Sequence, residues 1–234
     1  MKIKNIKHSG KFRKARIWSN KMLSKYATFF EGDICNISGW LDEDKEGKKY
    51  SDYFENKKNY YITNYGGWRG FSGTEGEIFL DLEKELPKEL EKRFDVTFNH
   101  TTLEHIYDVK KAFENICKMT KDVSIIIVPF LQEAHISESY KDFWRFTPFV
   151  MERMYEENNF SLVVCEHNNE FNTATYLFCI AIRNDKLHNY KMFKKVKLDN
   201  NNPAGEWLGY DRDIKTKLEK YIVTKLDFIK REKK

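Results

Sequence analysis

Two rhythms run along the chain. Residues 14–30 (KARIWSNKMLSKYATFF) place Ile17, Trp18, Met22, Leu23, Tyr26 and Phe29 on one side of a helix, the 3.6-residue spacing of an amphipathic element. Residues 108–120 repeat that spacing with Val109, Ala112, Phe113, Ile116 and Met119, and residues 214–230 with Ile214, Leu218, Tyr221, Ile222, Leu226 and Ile229. Short apolar runs bounded by polar turns predict strands over 33–40, 59–65, 77–82, 94–100, 123–130, 160–167 and 173–183. The run VSIIIVPF at 123–130 is almost wholly apolar, as a central strand buried on both faces must be. Short helical pieces are expected around Tyr50 to Phe54 and over Pro87 to Arg93. A longer helix is expected from a Thr147 cap and Pro148 to about Asn158.

Strand, helix, strand, repeated and closed by two strands joined through HNNEFN, predicts an α/β fold. The expectation is a Rossmann-like doubly wound sheet of about seven strands, mostly parallel with a reversed edge strand. One domain is expected, with an N-terminal helical extension over about 1–32, a core over 33–184 and a C-terminal extension over 185–234. A length of 234 residues suits one such domain.

Composition changes this picture little. Hydrophobic residues at 41% and aromatic residues at 15% support a packed core. The basic start MKIKNIKHSGKFRKAR leads into no apolar leader segment and no run is long enough to span a membrane, so a cytoplasmic protein is expected. Cys35, Cys117, Cys165 and Cys179 form no CxxC pair, and no metal site is expected. The net charge of +5 conceals an asymmetry. Residues 1–25 hold nine Lys or Arg and no acid; residues 214–234 hold eight against three acids; the stretch between carries a net −9. Basic ends could track nucleic acid, but their apolar residues at helical spacing predict docked helices and no nucleic-acid partner.

The candidate chemistry gathers at FDVTFNHTTLEH, residues 94–105. In open α/β sheets ligands bind beyond the carboxyl ends of the strands, which puts Asn99, His100, Thr101, Thr102, Glu104 and His105 at a ligand edge. His100, His105 and His135 are candidate general bases, since histidine titrates near neutral pH. Tyr140, Trp144 and Arg145 could form a lid. Arg145 is either a clamp for phosphate or carboxylate or a salt-bridge partner for Asp142. The loop GGWRGFSGTEG at 66–76 holds five of the eleven glycines and Arg69. Its amides could approach an anion or a cofactor, as in anion-binding nests; as a plain surface loop it would do neither.

FDVTFNHTTLEHIYDVKKAFENICKM, VSIIIVPF and DFWRFTPFVMERMYEENNF together resemble the fourth strand, the fifth strand and the RFT segment of class I S-adenosylmethionine-dependent methyltransferases. The resemblance spans about residues 33–184. It implies S-adenosyl-L-methionine as cofactor, held by Asn36, Ser38, Gly39, Trp40, Asn64, Tyr65, Asp81, Leu82, Asn99 and His100, with Arg69, Tyr140, Trp144 and Arg145 towards the acceptor. The turn after the first strand departs from the family: an acid followed by Gly-x-Gly becomes Asn36-Ile37-Ser38-Gly39-Trp40. The acid at the end of the second strand becomes Asn64, while Asp81 keeps the family's acid beside the adenine. Small relatives with this pattern occur in bacterial capsule and surface-polysaccharide biosynthesis. The resemblance thus implies a small-molecule or glycan-precursor acceptor and is compatible with a homodimer; the arginines and aromatics of the 66–76 and 140–146 loops favour an anionic phosphate or phosphoramidate oxygen over a hydroxyl as the atom receiving the methyl group. Two rivals are a methyltransferase for another small metabolite and a non-catalytic binding module. An RNA methyltransferase is disfavoured by the absence of a (D/N)PP(Y/F) signature.

Overall fold

The computed structural model describes residues 10–67, 70–137, 140–168 and 173–198. Arg69, the expected helix over 214–230 and the basic C-terminal stretch lie outside them.

The apolar runs become seven strands: β1 (Glu31–Ile37), β2 (Asn56–Asn64), β3 (Glu77–Phe79), β4 (Phe94–His100), β5 (Thr120–Leu131), β6 (Phe160–His167) and β7 (Thr175–Arg183). They form one sheet in the order β3-β2-β1-β4-β5-β7-β6. Pairing is parallel from β3 through to β5, and β7 runs antiparallel to both β5 and the outermost β6. This is the doubly wound α/β sheet that the sequence predicts, with its reversed strand next to one edge. β5 sends Val123, Ile125 and Ile127 to one face and Ile126 and Val128 to the other. The β-branched run therefore feeds two cores at once.

One face carries α2 (Val109–Met119) and α3 (Pro148–Glu157). Asp108 caps α2 by accepting from the Lys111 amide at 3.2 Å, and Thr147 caps α3 by accepting from the Val150 amide at 3.3 Å. The other face carries α1 (Gly10–Tyr26). Its buried stripe is Ala15, Ser19, Asn20, Met22 and Leu23, rotated from the all-apolar stripe that the pattern predicts. Ile17 and Trp18 are half-buried, and Phe29, just past the helix, is 49% exposed. The rotation follows from polar docking: Ser19 bonds His100, and Asn20 donates to the Asp44 carbonyl and the Glu46 carboxylate.

The β1–β2 connection holds an isolated antiparallel bridge between Glu43 and Lys49 and a 3-10 turn, Tyr50–Tyr53, and the β2–β3 connection is the glycine-rich loop. Among the described residues no helix is long and apolar enough to cross a membrane.

Candidate functional site

A cleft of about 350 Å³ opens at the carboxyl ends of β1 to β4. Ser38, Tyr65, Asp81 and Leu82 line one side, and Thr102, His105, Tyr140, Lys141 and Phe143 the other. Near the carboxyl end of β4, buried Asn99 donates to the Ile37 carbonyl at 2.8 Å, and among the described residues its Oδ1 has no hydrogen-bond partner. The strand ends are strained. Ser38 (φ +57°), Trp40 (φ +48°) and the β-branched Thr101 (φ +51°) adopt left-handed backbone, a region non-glycine residues enter at a cost of about 1–3 kcal/mol. The turn thus keeps the positive φ values of a glycine-rich turn without the glycines. Gly39 is required for a different reason: a Cβ there would meet Asn36 Nδ2 at 2.5 Å.

Two of the expected cofactor ligands are tied inward. Asn36 is buried and donates to Asp42 Oδ1 at 2.7 Å, an oxygen that also accepts from Tyr60. Asn64 accepts from the Trp40 amide at 2.8 Å and donates to Glu77 Oε1 at 2.7 Å. Trp40 faces a second cavity, of about 500 Å³, against the glycine-rich loop. That loop does form an anion nest, but the anion is the chain's own: Glu77 Oε2 accepts from the amides of Ser72, Gly73 and Thr74. Burial pushes the Glu77 carboxyl up, yet hydrogen bonds from Asn64, Ser72 and Thr74 outweigh it and bring its pKa down to about 2.

The three histidines separate. Ser19 Oγ donates to the Arg16 carbonyl at 2.8 Å and so accepts from His100 Nε2, also at 2.8 Å. His100 Nδ1 then accepts from Thr101 Oγ1 at 3.1 Å, and Arg16 Nη2 donates to that same Oγ1 at 2.9 Å. Both nitrogens of His100 are engaged in docking α1. Burial, with the Arg16 guanidinium behind it, holds the His100 pKa well below 6.5. It is a poor general base because neither nitrogen is left to take a proton.

His105 and His135 meet instead, ring centroids 4.8 Å apart, and Tyr140 packs on His105 at 4.5 Å. His105 lies in the 3-10 turn Leu103–His105. Its Nδ1 stands 2.6 Å from the Lys141 carbonyl; a carbonyl only accepts, so Nδ1 carries the hydrogen. Its Nε2 lies 3.7 Å from Glu104 Oε1. Glu104 is fully buried, neither of its oxygens has a hydrogen-bond partner among the described residues, and burial raises its pKa to about 8. His135 meets Gln132 through Nδ1 at 2.6 Å, and its amide donates to Asp142 Oδ2 at 2.7 Å.

Arg145 corrects the lid expectation. It grips Asp142 through Nη1 and Nη2, and its remaining N–H groups reach the carbonyls of Gln132, Glu133 and Trp144. All five guanidinium donors are engaged within the chain, so Arg145 builds the loop and has no donor left for an anion. Trp144 donates Nε1 to the Ile106 carbonyl at 2.9 Å, and the Phe143 amide donates to the Glu104 carbonyl at 2.7 Å. The 140–146 loop is thereby strapped to the LEH turn, with Tyr140 the expected lid residue that lines the cleft.

Sequence reasoning placed Glu104 at the ligand edge but gave it no role, and gave none to Arg16 and Gln132; Asp142 entered only as a possible partner for Arg145. The LEH run itself carried the signal for Glu104: an acid beside a histidine on the segment expected at the ligand edge.

No family model and no curated protein sequence matches the chain. Solved structures do. A chain from the complex of Haloferax volcanii Trm112, a methyltransferase activator, superposes with a TM-score of 0.53 at 10% identity, over 73% of this chain and 90% of that one. Magnesium protoporphyrin IX methyltransferase from Synechocystis, solved with bound S-adenosylhomocysteine, gives 0.52 at 7% identity over 78% and 90%. A Bacillus halodurans protein described as a methyltransferase gives 0.50 at 10% identity over 70% and 97%. At such identities the likeness is one of fold: the chain has the Rossmann-like fold of the S-adenosylmethionine-dependent methyltransferases.

Proposed function

We propose that the protein is an S-adenosylmethionine-dependent methyltransferase acting on a small or carbohydrate-linked acceptor. The observation that carries this reading is the cleft at the carboxyl ends of β1 to β4, in a sheet of this strand order. The residues present fit the cofactor. Asp81 and Leu82 stand just past the end of β3, Ser38 and Tyr65 at the ends of β1 and β2, and Asn99 Oδ1 is a buried acceptor without a hydrogen-bond partner among the described residues. When bound, the cofactor supplies a methyl group on a sulfonium. The chain's part is to hold the acceptor atom in line with that methyl carbon, and such positioning is worth about 7–11 kcal/mol.

The acceptor side of the cleft is His105, Tyr140 and Lys141, with His135 behind His105. This arrangement suits a hydroxyl. A phosphate or phosphoramidate oxygen calls for several cationic donors, whereas Lys141 is the single Lys or Arg lining the cleft among the described residues and Arg145 is fully engaged elsewhere. The sequence resemblance directs the search to precursors of bacterial surface polysaccharides, capsule among them. A non-catalytic binding module is the rival reading, favoured by the inward-tied Asn36 and Asn64.

Calorimetry with S-adenosylmethionine and S-adenosylhomocysteine, followed by methyl transfer from labelled cofactor to a panel of sugars and sugar nucleotides, tests the proposal. Binding with transfer to a hydroxyl is the expected result. No binding at millimolar ligand overturns the cofactor assignment, and binding without transfer to any acceptor favours the module.

A further inference from the structure

Glu104 is a buried acid that the cofactor cleft alone does not explain. A carboxylate removed from water and left without a hydrogen-bonding partner is costly, and buried charges in proteins are paired or coordinate metals. Glu104 has no exposed surface, and among the described residues neither oxygen has a hydrogen-bond partner. It does not stand alone. One of its oxygens and one ring nitrogen from each of His105 and His135 lie within 4.8 Å of one another.

We propose that Glu104, His105 and His135 bind a divalent transition-metal ion beside the cleft that His105 lines. The inference rests on reading that cleft as the methyl-transfer site. One carboxylate and two imidazoles form the donor set of zinc and non-haem iron sites; magnesium and calcium prefer all-oxygen shells. Metal–ligand bonds of about 2.0–2.2 Å set neighbouring donor atoms roughly 3 Å apart, so the three side chains reach the ion by small rotations.

Outer partners are already in place. The Lys141 carbonyl takes the Nδ1 hydrogen of His105 at 2.6 Å, which leaves Nε2 as the lone-pair nitrogen and faces it towards Glu104 at 3.7 Å. A hydrogen bond of this kind from the far ring nitrogen is how proteins fix the tautomer and orientation of a metal-binding histidine. Asp142 holds the His135 backbone amide at 2.7 Å and is itself held by Arg145. The Phe143 amide anchors the carbonyl of Glu104. Arg145, whose donors are all engaged, thus serves as a support for the cluster at one remove.

Three protein ligands leave coordination positions open. An acceptor hydroxyl taken up there loses its proton to solvent more readily, which supplies acceptor activation without a free histidine base. Tyr140, packed on His105 and lining the cleft, stands where it would flank such an acceptor.

The test uses the full chain, stripped with a chelator and titrated with Zn²⁺ by calorimetry and with Co²⁺ by visible absorption. One equivalent should bind, with a Co²⁺ spectrum of mixed nitrogen and oxygen ligation. Glu104→Gln and His135→Ala should each weaken binding by more than the roughly 10–100-fold that outer-shell changes cost, while His188→Ala, on an exposed residue away from the cluster, should leave it unchanged. Circular dichroism checks folding, and His135→Asn replaces any variant that does not fold. Absence of stoichiometric binding, or equal affinity in the cluster variants and the native chain, overturns the proposal. S-adenosylhomocysteine binding to the stripped protein is measured in parallel. Cofactor bound without metal uptake refutes the metal site alone, and metal uptake without cofactor binding refutes the methyltransferase reading alone.

Discussion

The guanidinium of Arg145 holds the carboxylate of Asp142 through two parallel bonds, 2.6 Å from Nη1 to Oδ1 and 2.7 Å from Nη2 to Oδ2. The Asp142 side chain is 1% exposed, so removing Arg145 leaves a buried charge short of its main partner. Arg145→Ala should cost about 2–4 kcal/mol, between a hydrogen bond to a charged group and a fully buried ion pair. Asp142→Ala should cost a similar amount. Because the two act as one strap, the double variant should be little worse than either single one, and urea melts of the three read this directly. Additivity within about 0.5 kcal/mol would mean that they act independently.

This pair also marks how far the sequence could be read. The strands were legible because burial on two faces demands uninterrupted apolar runs; β4 spans Phe94–His100, as the pattern predicts. Caps such as Thr147 with Pro148 are local and equally legible. The polar contacts were not. Whether Arg145 faced Asp142 or a ligand depended on the path of a loop. Asn64 meets Glu77 only because β2 and β3 pair in one particular register. Arg16 and His100 come together because α1 docks with polar residues inwards, and a hydrophobic pattern carries no information about that.

Glu77 gives the glycine-rich loop a pH dependence. Its folded pKa, about 2, lies below the ordinary 4.5, so the folded state favours the ionised form. The stability it contributes is fully present above about pH 4.5 and is lost as pH falls towards 2. Chemical melts between pH 5 and 2.5 should show native stability falling more steeply than that of Glu77→Gln. The variant should be less stable near neutral pH and converge on the native protein in acid. Parallel curves would mean that the nest does not hold the ionised carboxylate.

The turn at Ser38 offers a test of opposite sign. Its φ of +57° is open to glycine and hostile to β-branched residues. Ser38→Gly relieves roughly 1–2 kcal/mol of strain and gives back about 0.5–1 kcal/mol in chain entropy. The thermal midpoint should therefore rise slightly, by about 1–3 °C, whereas Ser38→Val should lower it by several degrees. A valine variant as stable as the glycine variant would show that the turn is not left-handed in solution.

The last prediction separates residues that line the cleft from those that shape it. Asp81 lines the cleft, its Oδ1 also accepting from the Glu83 amide at 2.9 Å. A hydrogen bond from a ligand hydroxyl or amine to a carboxylate is worth about 1.5–3 kcal/mol, so Asp81→Ala should weaken S-adenosylhomocysteine binding by roughly 10- to 100-fold with little change in thermal midpoint. Asn64 is buried and bridges Trp40 to Glu77, so Asn64→Ala leaves the Trp40 amide and the Glu77 carboxylate each short of a partner. Its principal effect should be on stability, a loss of about 1–3 kcal/mol, with a smaller change in affinity. Calorimetry and thermal melts on the two variants decide the matter. If Asn64→Ala abolishes binding while Asp81→Ala does not, the cofactor ribose lies against β2, and Asn64 must turn from Glu77 to reach it.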